Sequence, residues 1–230
     1  QALKQSEKLA HMGQLSAGIA HELNNPLGIV IMYSNILLDE STPDDPVRED
    51  LKLIVEQAGR CKKIVGGLLN FARKSQVNHQ LVNIKELVTH SLESVIVPEN
   101  VTVKLADQAT DPDAMLDSEQ MIQVLSNLIK NALDAMPGGG EISILLEDTL
   151  SDVTITVGDS GTGIKEEDRV KIFEPFYTTK GLGHGTGLGL ATTYGIVKMH
   201  KGQITVESNT DPAKGPTGTR FRIVLPRKKE

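Results

Sequence analysis

Apolar residues recur at alternating steps of three and four from residue 9 to residue 72, whereas alternation of apolar and polar residues marks several segments after residue 79. Steps of three and four place apolar side chains on one face of a helix, and strict alternation places them on one face of a strand. This change of period predicts a multidomain chain: an all-α domain from 1 to 75, a linker from 76 to 79 and an α/β domain from 80 to 230. A chain of 230 residues with 39% hydrophobic content can bury two cores of ordinary size.

The all-α domain is predicted to be a hairpin of two helices, from Leu3 to Leu38 and from Val47 to Ala72, with a kink at Pro26 because an interior proline removes a hydrogen bond. The predicted seam residues are Leu9, Met12, Ser16, Ile19, Leu23, Pro26, Val30, Tyr33 and Leu37 in the first helix, and Val47, Leu51, Ile54, Ala58, Cys61, Val65, Leu68 and Ala72 in the second. A single hairpin cannot hide both stripes, so we expect a homodimer that forms a four-helix bundle, with Cys61 in its core.

The second domain is predicted to be a two-layer α/β sandwich. Strands are expected near residues 80–82, 101–105, 114–116, 142–146, 153–157, 204–206 and 221–225, and helices over 84–95, 118–136 and 188–200. Ser118 is the predicted N-cap of the middle helix, and the glycines after Pro137 end it. Because each strand has one apolar face, helices should cover only one face of the sheet.

Charge and hydropathy narrow the choice of partners. A net charge of −6 argues against nucleic acid as the main partner, because such binding needs a clustered basic face. No apolar run approaches the roughly 20 residues that cross a bilayer, so we expect no membrane contact by this chain and a cytoplasmic location, with the intact protein open to anchorage at the inner membrane.

One histidine of the first helix is predicted to face solvent. At roughly 100° per residue, His21 lies about 180° from the midpoint of Ile19 and Leu23 on the apolar seam. Glu22 follows it directly, and Asn25 lies one turn later on the same face. The sequence therefore predicts an accessible imidazole with a carboxylate and an amide beside it.

Two segments of the α/β domain combine polar side chains with features that suit a ligand. Gln123, Asn127 and Asn131 recur every fourth residue on a predicted helix, and their amide oxygens suit a hard cation, although a solvated polar face is the alternative. Asp159 ends a predicted strand before Gly161 and Gly163, where it can accept a hydrogen bond from an exocyclic amine, although a tight turn would use the same residues.

A glycine-rich loop completes the set of candidate segments. Five glycines occupy odd positions from 181 to 189 and lead into an apolar helix. Backbone amides and the helix dipole converge at such a junction, which predicts an anion site. Neither the P-loop pattern nor the dinucleotide-binding glycine pattern occurs in the chain.

Five segments together resemble the sequence boxes of two-component sensor histidine kinases, in the family's order. They are His21-Glu-Leu-Asn-Asn-Pro26, Asn127-Leu-Ile-Lys-Asn131-Ala, Asp159-Ser-Gly-Thr-Gly163, Ile172-Phe-Glu-Pro-Phe176 and Gly185-Thr-Gly-Leu-Gly189. The short lid and the segment from Phe176 to Lys180 are similar to the nitrogen-regulation branch. The resemblance implies a dimeric phosphoacceptor hairpin followed by an ATP-binding domain of the histidine kinase and gyrase type.

The resemblance also implies roles for individual residues. His21 would be the phosphoacceptor, Glu22 its base, and Asn25 a residue that positions water for dephosphorylation of the regulator. The implied nucleotide-binding residues are Asn127, Lys130, Asn131, Asp159, Gly161, Gly163, Ile164, Phe176, Thr179, Lys180, Gly185, Thr186, Gly187, Leu188 and Gly189, with Asn131 as the Mg²⁺ ligand. Phe173 and Phe176 would anchor the lid. Asp134 departs from the basic residue that many relatives carry there, so that phosphate contact would fall to Lys130 or Lys180.

The implied activity is transfer of the γ-phosphate of ATP to His21 and then to an aspartate in the receiver domain of a response regulator. Two alternatives remain at this point. One is an ATP-driven dimer clamp of the same fold, which leaves His21, Glu22 and Asn25 unexplained. The other is a scaffold that binds nucleotide without transfer.

Overall fold

The structure is a computed structural model that describes residues 22–73, 77–181 and 185–227. The predictions for residues 1–21, His21 among them, and for residues 182–184 lie outside this part of the chain. The described residues form two compact units, one containing residues 22–73, 178–181 and 185–188 and the other containing residues 77–177 and 189–227.

The first unit contains two helices, α1 over residues 22–40 and α2 over Arg48–Arg73. Pro26 lies inside α1, and the helix continues through it. Arg48 ties the connection together, because its Nη1 donates to the carbonyls of Leu38 and Ser41 at 2.8 Å and to the Ser41 hydroxyl at 2.7 Å. The guanidinium thus adds to the bond from the Ser41 hydroxyl to the Leu38 carbonyl at 2.8 Å, and together they pair carbonyl groups at and after the end of α1.

The single chain covers only part of the predicted apolar seam of α1. The less exposed positions are Leu27, Ile31, Ser34 and Leu38, whereas Leu23, Val30, Tyr33 and Leu37 from the predicted seam are exposed. Cys61 is also exposed in the single chain, and its place in the core of a four-helix bundle stays a prediction. The apolar stripe of α1 is wider than a two-helix seam, so one chain covers one edge of it and leaves the other edge open.

The second unit is built on a five-stranded sheet with the order β2-β4-β5-β7-β6. Its strands are β2 (Val101–Asp107), β4 (Gly140–Asp148), β5 (Asp152–Asp159), β6 (Gln203–Asn209) and β7 (Gly218–Pro226). Strands β2 and β4 are parallel, and the other pairs are antiparallel. Two short strands, β1 (Gln80–Asn83) and β3 (Asp113–Leu116), form a separate antiparallel pair.

Helices cover one face of this sheet, which confirms the two-layer α/β fold. They are α3 (Ile84–Glu93), α4 (Ser118–Asp134), the single turn α5 (Glu166–Arg169) and α6 (Gly189–Met199). Alternate residues of the central strands, such as Ile144, Ile155 and Ile223, are buried in one core with Leu125 and Leu128 of α4. Burial of these alternating positions is the main favourable term in forming the layer pair. No helix in the described ranges has the length and apolar character to cross a bilayer.

Two local predictions need correction. The N-cap of α4 is Asp117, whose Oδ1 accepts from the amide of Gln120 at 3.0 Å, and Ser118 is the first helical residue. A cap must lie before the first helical residue in an extended conformation, and Asp117 meets that condition. The helix ends at Asp134 rather than Met136. Helix α5 was not predicted, because four residues are too few to show a period.

Candidate functional site

The polar stripe of α4 lies between the buried face and solvent. Gln123, Asn127 and Asn131 are all half-buried, and Val124 and Leu128 beside them are buried. The Asn127 amide nitrogen donates to the carbonyl of Gly189 at 3.2 Å, which ties α4 to the first residue of α6. This bond uses the amide nitrogen and leaves the oxygen of Asn127 for a ligand that prefers oxygen.

Asp159, the last residue of β5, holds its carboxylate with one oxygen engaged and one open. Oδ1 accepts from the amide of Gly161 at 2.9 Å and from the amide of Thr219 at 3.2 Å. Oδ2 has no hydrogen bond to any residue in the described ranges. Burial raises the pKa of this carboxyl above its usual value, against the lowering effect of the two amides. The geometry provides a fixed acceptor for a neutral N–H donor.

The turn after Asp159 requires glycine at two positions. Gly163 has φ +75°, and a Cβ there would lie 2.3 Å from the carbonyl oxygen of Asn209. A Cβ on Gly161 would lie 2.7 Å from the carbonyl oxygen of Ala135. The amide of Thr162 donates to that same carbonyl at 3.2 Å, so the turn is joined to the end of α4. Bare backbone therefore borders the Asp159 carboxylate.

The segment after this turn is anchored by Phe173 and Tyr177 rather than by Phe176. The Phe173 ring lies 5.4 Å from the Tyr194 ring and 6.5 Å from the Phe221 ring, centroid to centroid. The Tyr177 hydroxyl donates to Asp168, and this bond is the main cause that raises the pKa of Tyr177 to about 12. Phe176 is 47% exposed at φ +68°, so it does not anchor the segment as predicted.

The glycine-rich loop belongs to the first compact unit up to Leu188, and Gly189 begins α6 in the second. Within the loop, the amide of Lys180 donates to the Thr178 hydroxyl at 3.1 Å. A Cβ on Gly185 would lie 2.8 Å from that hydroxyl, and Gly187 has φ +67°. Glycine at these positions permits a backbone course that other residues would strain.

The helical hairpin presents two of the predicted catalytic residues. Glu22 and Asn25 are both exposed on α1, three positions apart and therefore on neighbouring parts of one face. His21 lies outside the described residues.

Comparison with known proteins agrees with both parts of the chain. Residues 11–76 match the His Kinase A (phospho-acceptor) domain, and residues 116–229 match the histidine kinase-, DNA gyrase B- and HSP90-like ATPase domain. The sensor kinase CckA of Brucella abortus is 35% identical over 98% of this chain, and the sensor histidine kinase ZraS of Escherichia coli O157:H7 is 33% identical over 97%. The chain spans 25% of the length of CckA and 48% of the length of ZraS.

Solved structures give the same result. The catalytic domain of histidine kinase ThkA is 33% identical, with a TM-score of 0.56, and the match covers 96% of that domain and 65% of this chain. The chain belongs to the histidine kinase family. A structure of ThkA in complex with the response regulator protein TrrA is similar to this histidine kinase over 98% of the chain and 64% of ThkA, at 27% identity and a TM-score of 0.67.

In this histidine kinase, the second unit brings together several residues that the sequence predicted. Asp159, Gly161 and Gly163 border one turn, and Asn127 contacts Gly189. Lys130 is exposed on α4, and Ile164 is half-buried next to the turn. Thr179, Lys180, Gly185, Thr186, Gly187 and Leu188 lie in the other compact unit.

Sequence reasoning missed two residues beside Asp159. Thr219 supplies the second amide to the Asp159 carboxylate, and the Ser208 hydroxyl accepts from the amide of Ile164 at 2.7 Å. Both residues lie more than 40 positions from the turn, on strands whose sequence signal is only their alternation. The pairing of β5, β6 and β7 could not be read from one sequence.

The donor set of α4 fits the Mg²⁺ ion that the resemblance implied. Asn127 and Asn131 place two amides one turn apart on the same face. The amide nitrogen of Asn127 is already used by Gly189, so its oxygen is the atom oriented for other contacts. Hard cations such as Mg²⁺ prefer oxygen ligands, and a few protein oxygens suffice when the nucleotide phosphates supply the others.

Proposed function

We propose that this chain is the kinase core of a two-component sensor of the nitrogen-regulation type. It would transfer the γ-phosphate of ATP to His21 and then pass the phosphoryl group to an aspartate of a response regulator. The observation that carries the proposal is the Asp159 carboxylate, which has one oxygen held by two amides and one oxygen open beside a glycine turn. An acceptor of this kind suits the exocyclic amine of adenine.

The remaining nucleotide contacts follow from the positions of the other residues. Asn131, with Asn127 nearby, would hold Mg²⁺, which would offset charge on the phosphates. Gly161, Gly163 and Ile164 would border the base. Lys130 and Lys180 would offer positive charge to the phosphates, and the loop of Thr179, Gly185, Thr186, Gly187, Leu188 and Gly189 would supply backbone amides. Phe176, half-exposed at the end of its segment, would contact the nucleotide at the lid.

The transfer step uses the outward face of α1. One ring nitrogen of His21 would attack the γ-phosphorus as the bond to the ADP oxygen breaks, and Glu22 would orient the other ring nitrogen and accept its proton. The product is a phosphoramidate, whose N–P bond then breaks as a carboxylate of the regulator takes the phosphoryl group.

The same face of α1 would also support dephosphorylation of the response regulator. Asn25, exposed three positions after Glu22, would position a water against the acyl phosphate of the regulator. An unchanged decay of the phosphorylated regulator with the Asn25→Ala variant would remove this role. We propose two partners for this chain, the receiver domain of a response regulator and a second copy of the chain itself. We also propose that it acts in the cytoplasm, with the intact protein open to anchorage at the membrane.

Labelling with γ-³²P ATP tests the proposed function. The kinase gives a labelled protein whose label is stable in base and lost in acid, and His21→Ala abolishes the label. His90→Ala is the matched control, because His90 is exposed on α3 and should keep full labelling. A dimer clamp ATPase would release phosphate without labelling protein, and a scaffold would bind nucleotide with neither result. Either outcome contradicts the proposal.

A further inference from the structure

The Ser208 hydroxyl is the meeting point of three hydrogen bonds next to the Asp159 turn. It accepts from the amide of Ile164 at 2.7 Å and donates to the carbonyl of Gly218 at 2.8 Å. Its oxygen also lies 3.0 Å from the hydroxyl oxygen of Thr219. A hydroxyl has one proton and two lone pairs. Since the Ser208 proton is used on Gly218, the Thr219 hydroxyl must donate to Ser208, which fills every position of the Ser208 oxygen.

Ser208 also lies in register with the carboxylate it would influence. In the sheet, Ser208 on β6 is the partner of Thr219 on β7, and Thr219 is the partner of Asp159 on β5. The amide of Thr219 donates to Asp159 Oδ1 at 3.2 Å. The three residues therefore form one row across three strands, with the Asp159 carboxylate at one end.

The row also fixes the far side of the glycine turn. Ile164 ends the turn that begins at Gly161, and its amide is held by Ser208 across 44 positions of sequence. The backbone carbonyl of Ser208 accepts from Arg169 of α5, which holds the next segment to the same strand. Ser208 thus links the two structures that border the Asp159 carboxylate, namely the turn and the start of β7.

We propose that Ser208 is a positioning residue for recognition of the nucleotide base. It contacts neither the base nor the phosphates. It holds the amides of Ile164 and Thr219 at fixed positions relative to each other. The open oxygen of Asp159 and the backbone of the glycine turn can then contact the base at the same time. This inference rests on the proposed function, since it concerns the same nucleotide site.

The test is the Ser208→Ala variant of the full chain, assayed by initial rates of autophosphorylation and by direct nucleotide binding. Removing the hydroxyl unpairs a donor at Ile164 and an acceptor at Gly218, so the turn and β7 lose their common support. We expect the KM for ATP to rise about tenfold while kcat stays within about twofold, which corresponds to about 1.4 kcal/mol of binding. Ser208→Thr keeps the hydroxyl and should restore most of the affinity.

A comparison of bases separates positioning from a general loss of stability. ITP has an oxygen in place of the amine of ATP, so it presents an acceptor rather than a donor to Asp159 at that position, and its affinity should change less than about twofold in Ser208→Ala. Ser91→Ala is the matched control. Ser91 is a fully buried serine on α3 that donates to the carbonyl of Leu87 at 2.8 Å, and its loss should lower stability and leave the KM for ATP unchanged.

Several results would overturn the inference. These are an unchanged KM for ATP in Ser208→Ala, an equal rise for ATP and ITP, or the same rise in Ser91→Ala. If Ser208→Ala does not fold, Ser208→Cys decides, because a thiol fills the site but bonds weakly. It should then show a raised KM for ATP, and an unchanged KM would reject the role. Failure of the unsubstituted chain to bind ATP would instead reject the proposed function.

Discussion

Asp159 shows how one carboxylate combines a structural bond with an open binding position. Its Oδ1 is committed to the amides of Gly161 and Thr219, so the group cannot rotate freely, and Oδ2 remains as the acceptor. Burial raises its pKa, so keeping the carboxylate ionised at neutral pH costs the folded state free energy. Residues that lower the stability of the folded state are typical of binding sites, and Asp159 fits this pattern.

Asp159→Asn should lose ATP affinity without losing the fold. Because two backbone amides require an acceptor, the amide oxygen of Asn would occupy the Oδ1 position and its NH₂ group would occupy the Oδ2 position. The NH₂ group of Asn and the exocyclic amine of adenine would then face each other, although both are hydrogen-bond donors. We expect ATP affinity to fall about 100-fold, from the lost bond and the unpaired donor. Measurement of ATP and ITP binding checks this, because ITP offers an acceptor to the new NH₂ group and should lose much less.

The same variant should be at least as stable as the unsubstituted chain at pH 7. A folded-state pKa above the reference value of 3.8 means that stability falls as pH rises through the interval between the two values. A neutral amide removes that loss. Asp152→Asn, at the other end of β5, is the control and should leave ATP affinity unchanged. Urea unfolding that shows Asp159→Asn to be clearly less stable would contradict this account.

At this scale the sequence predicts the residues whose neighbours along the chain define their role. Asp159, Gly161 and Gly163 lie close together in sequence, and it is their place among the five family-like segments that predicts a ligand site there rather than a tight turn. Ser208 and Thr219 could not be predicted, because their contacts to the turn depend on which strands pair. Phe176 was expected from the resemblance to anchor the lid, but its side chain is 47% exposed and its backbone has φ +68°.

Among the elements, α4 and α6 are also joined where α6 ends and α4 begins. His200 follows α6 and is 3% exposed; its Nδ1 lies 2.9 Å from the carbonyl of Ile196, and its Nε2 accepts from the amide of Asp117 at 3.1 Å. Asp117 caps α4 and also accepts from the amide of Asn78. One neutral imidazole thus connects the two helices and the entry of the chain into the unit.

This arrangement predicts a loss of stability in mild acid. Burial lowers the pKa of His200 below the reference value of 6.5, and the nearby His79 adds to this, while the Ile196 carbonyl and Asp117 act against it. Between the two pKa values, the unfolded chain therefore binds a proton at this histidine and the folded chain does not. The stability is retained above pH 6.5 and is lost as the pH falls from there toward the lower pKa of the folded state. Protonation would also place an N–H donor against the Asp117 amide.

Urea unfolding between pH 5 and pH 7.5 measures this effect. The free energy of unfolding should decrease toward pH 5, and His200→Gln should flatten that decrease, since its amide has an oxygen for the Asp117 N–H and no group that titrates. His90→Gln, on the exposed face of α3, should keep the full dependence. A decrease of equal size in all three proteins would show that His200 is not its source.

The elements themselves were largely predictable from their periods. Alternation located the strands of the large sheet, and the three–four pattern located the main helices to within a few residues. The errors have physical causes. The cap of α4 was assigned one residue late, since Asp117 and Ser118 are both capable caps, and helix α5 was missed because four residues are too few to show a period.

For the whole molecule, the open edge of α1 is an exposed apolar surface that the single chain leaves uncovered. Ile29, Met32, Tyr33 and Ile36 are each at least 43% exposed in the single chain, and Leu53 and Ile54 of α2 are also exposed. Continuous apolar exposure of this kind indicates a protein contact. We predict that a second copy covers it, as the four-helix bundle requires.

Ile36→Asp should weaken this dimer. Full burial of an isoleucine contributes about 1.5–3 kcal/mol, and two copies are lost together, so the dissociation constant should rise at least 100-fold. Sedimentation or light scattering over a range of concentrations measures it. Leu150→Asp is the matched control, because Leu150 is 101% exposed in a loop of the other unit and should leave the dimer intact. A monomeric unsubstituted chain would contradict the prediction.

The last strand in sequence, β7, lies inside the large sheet between β5 and β6. The residue after it, Arg227, is buried and pairs with Asp111 and Asp148, while its carbonyl accepts from the amide of Met115 on β3 at 2.9 Å. During synthesis, therefore, β5 and β6 cannot be brought into one sheet until residue 226 has left the ribosome, although the hairpin helices emerged long before. Two nascent chains could join through their hairpins while neither can yet bind nucleotide, so pairing would precede the capacity to phosphorylate.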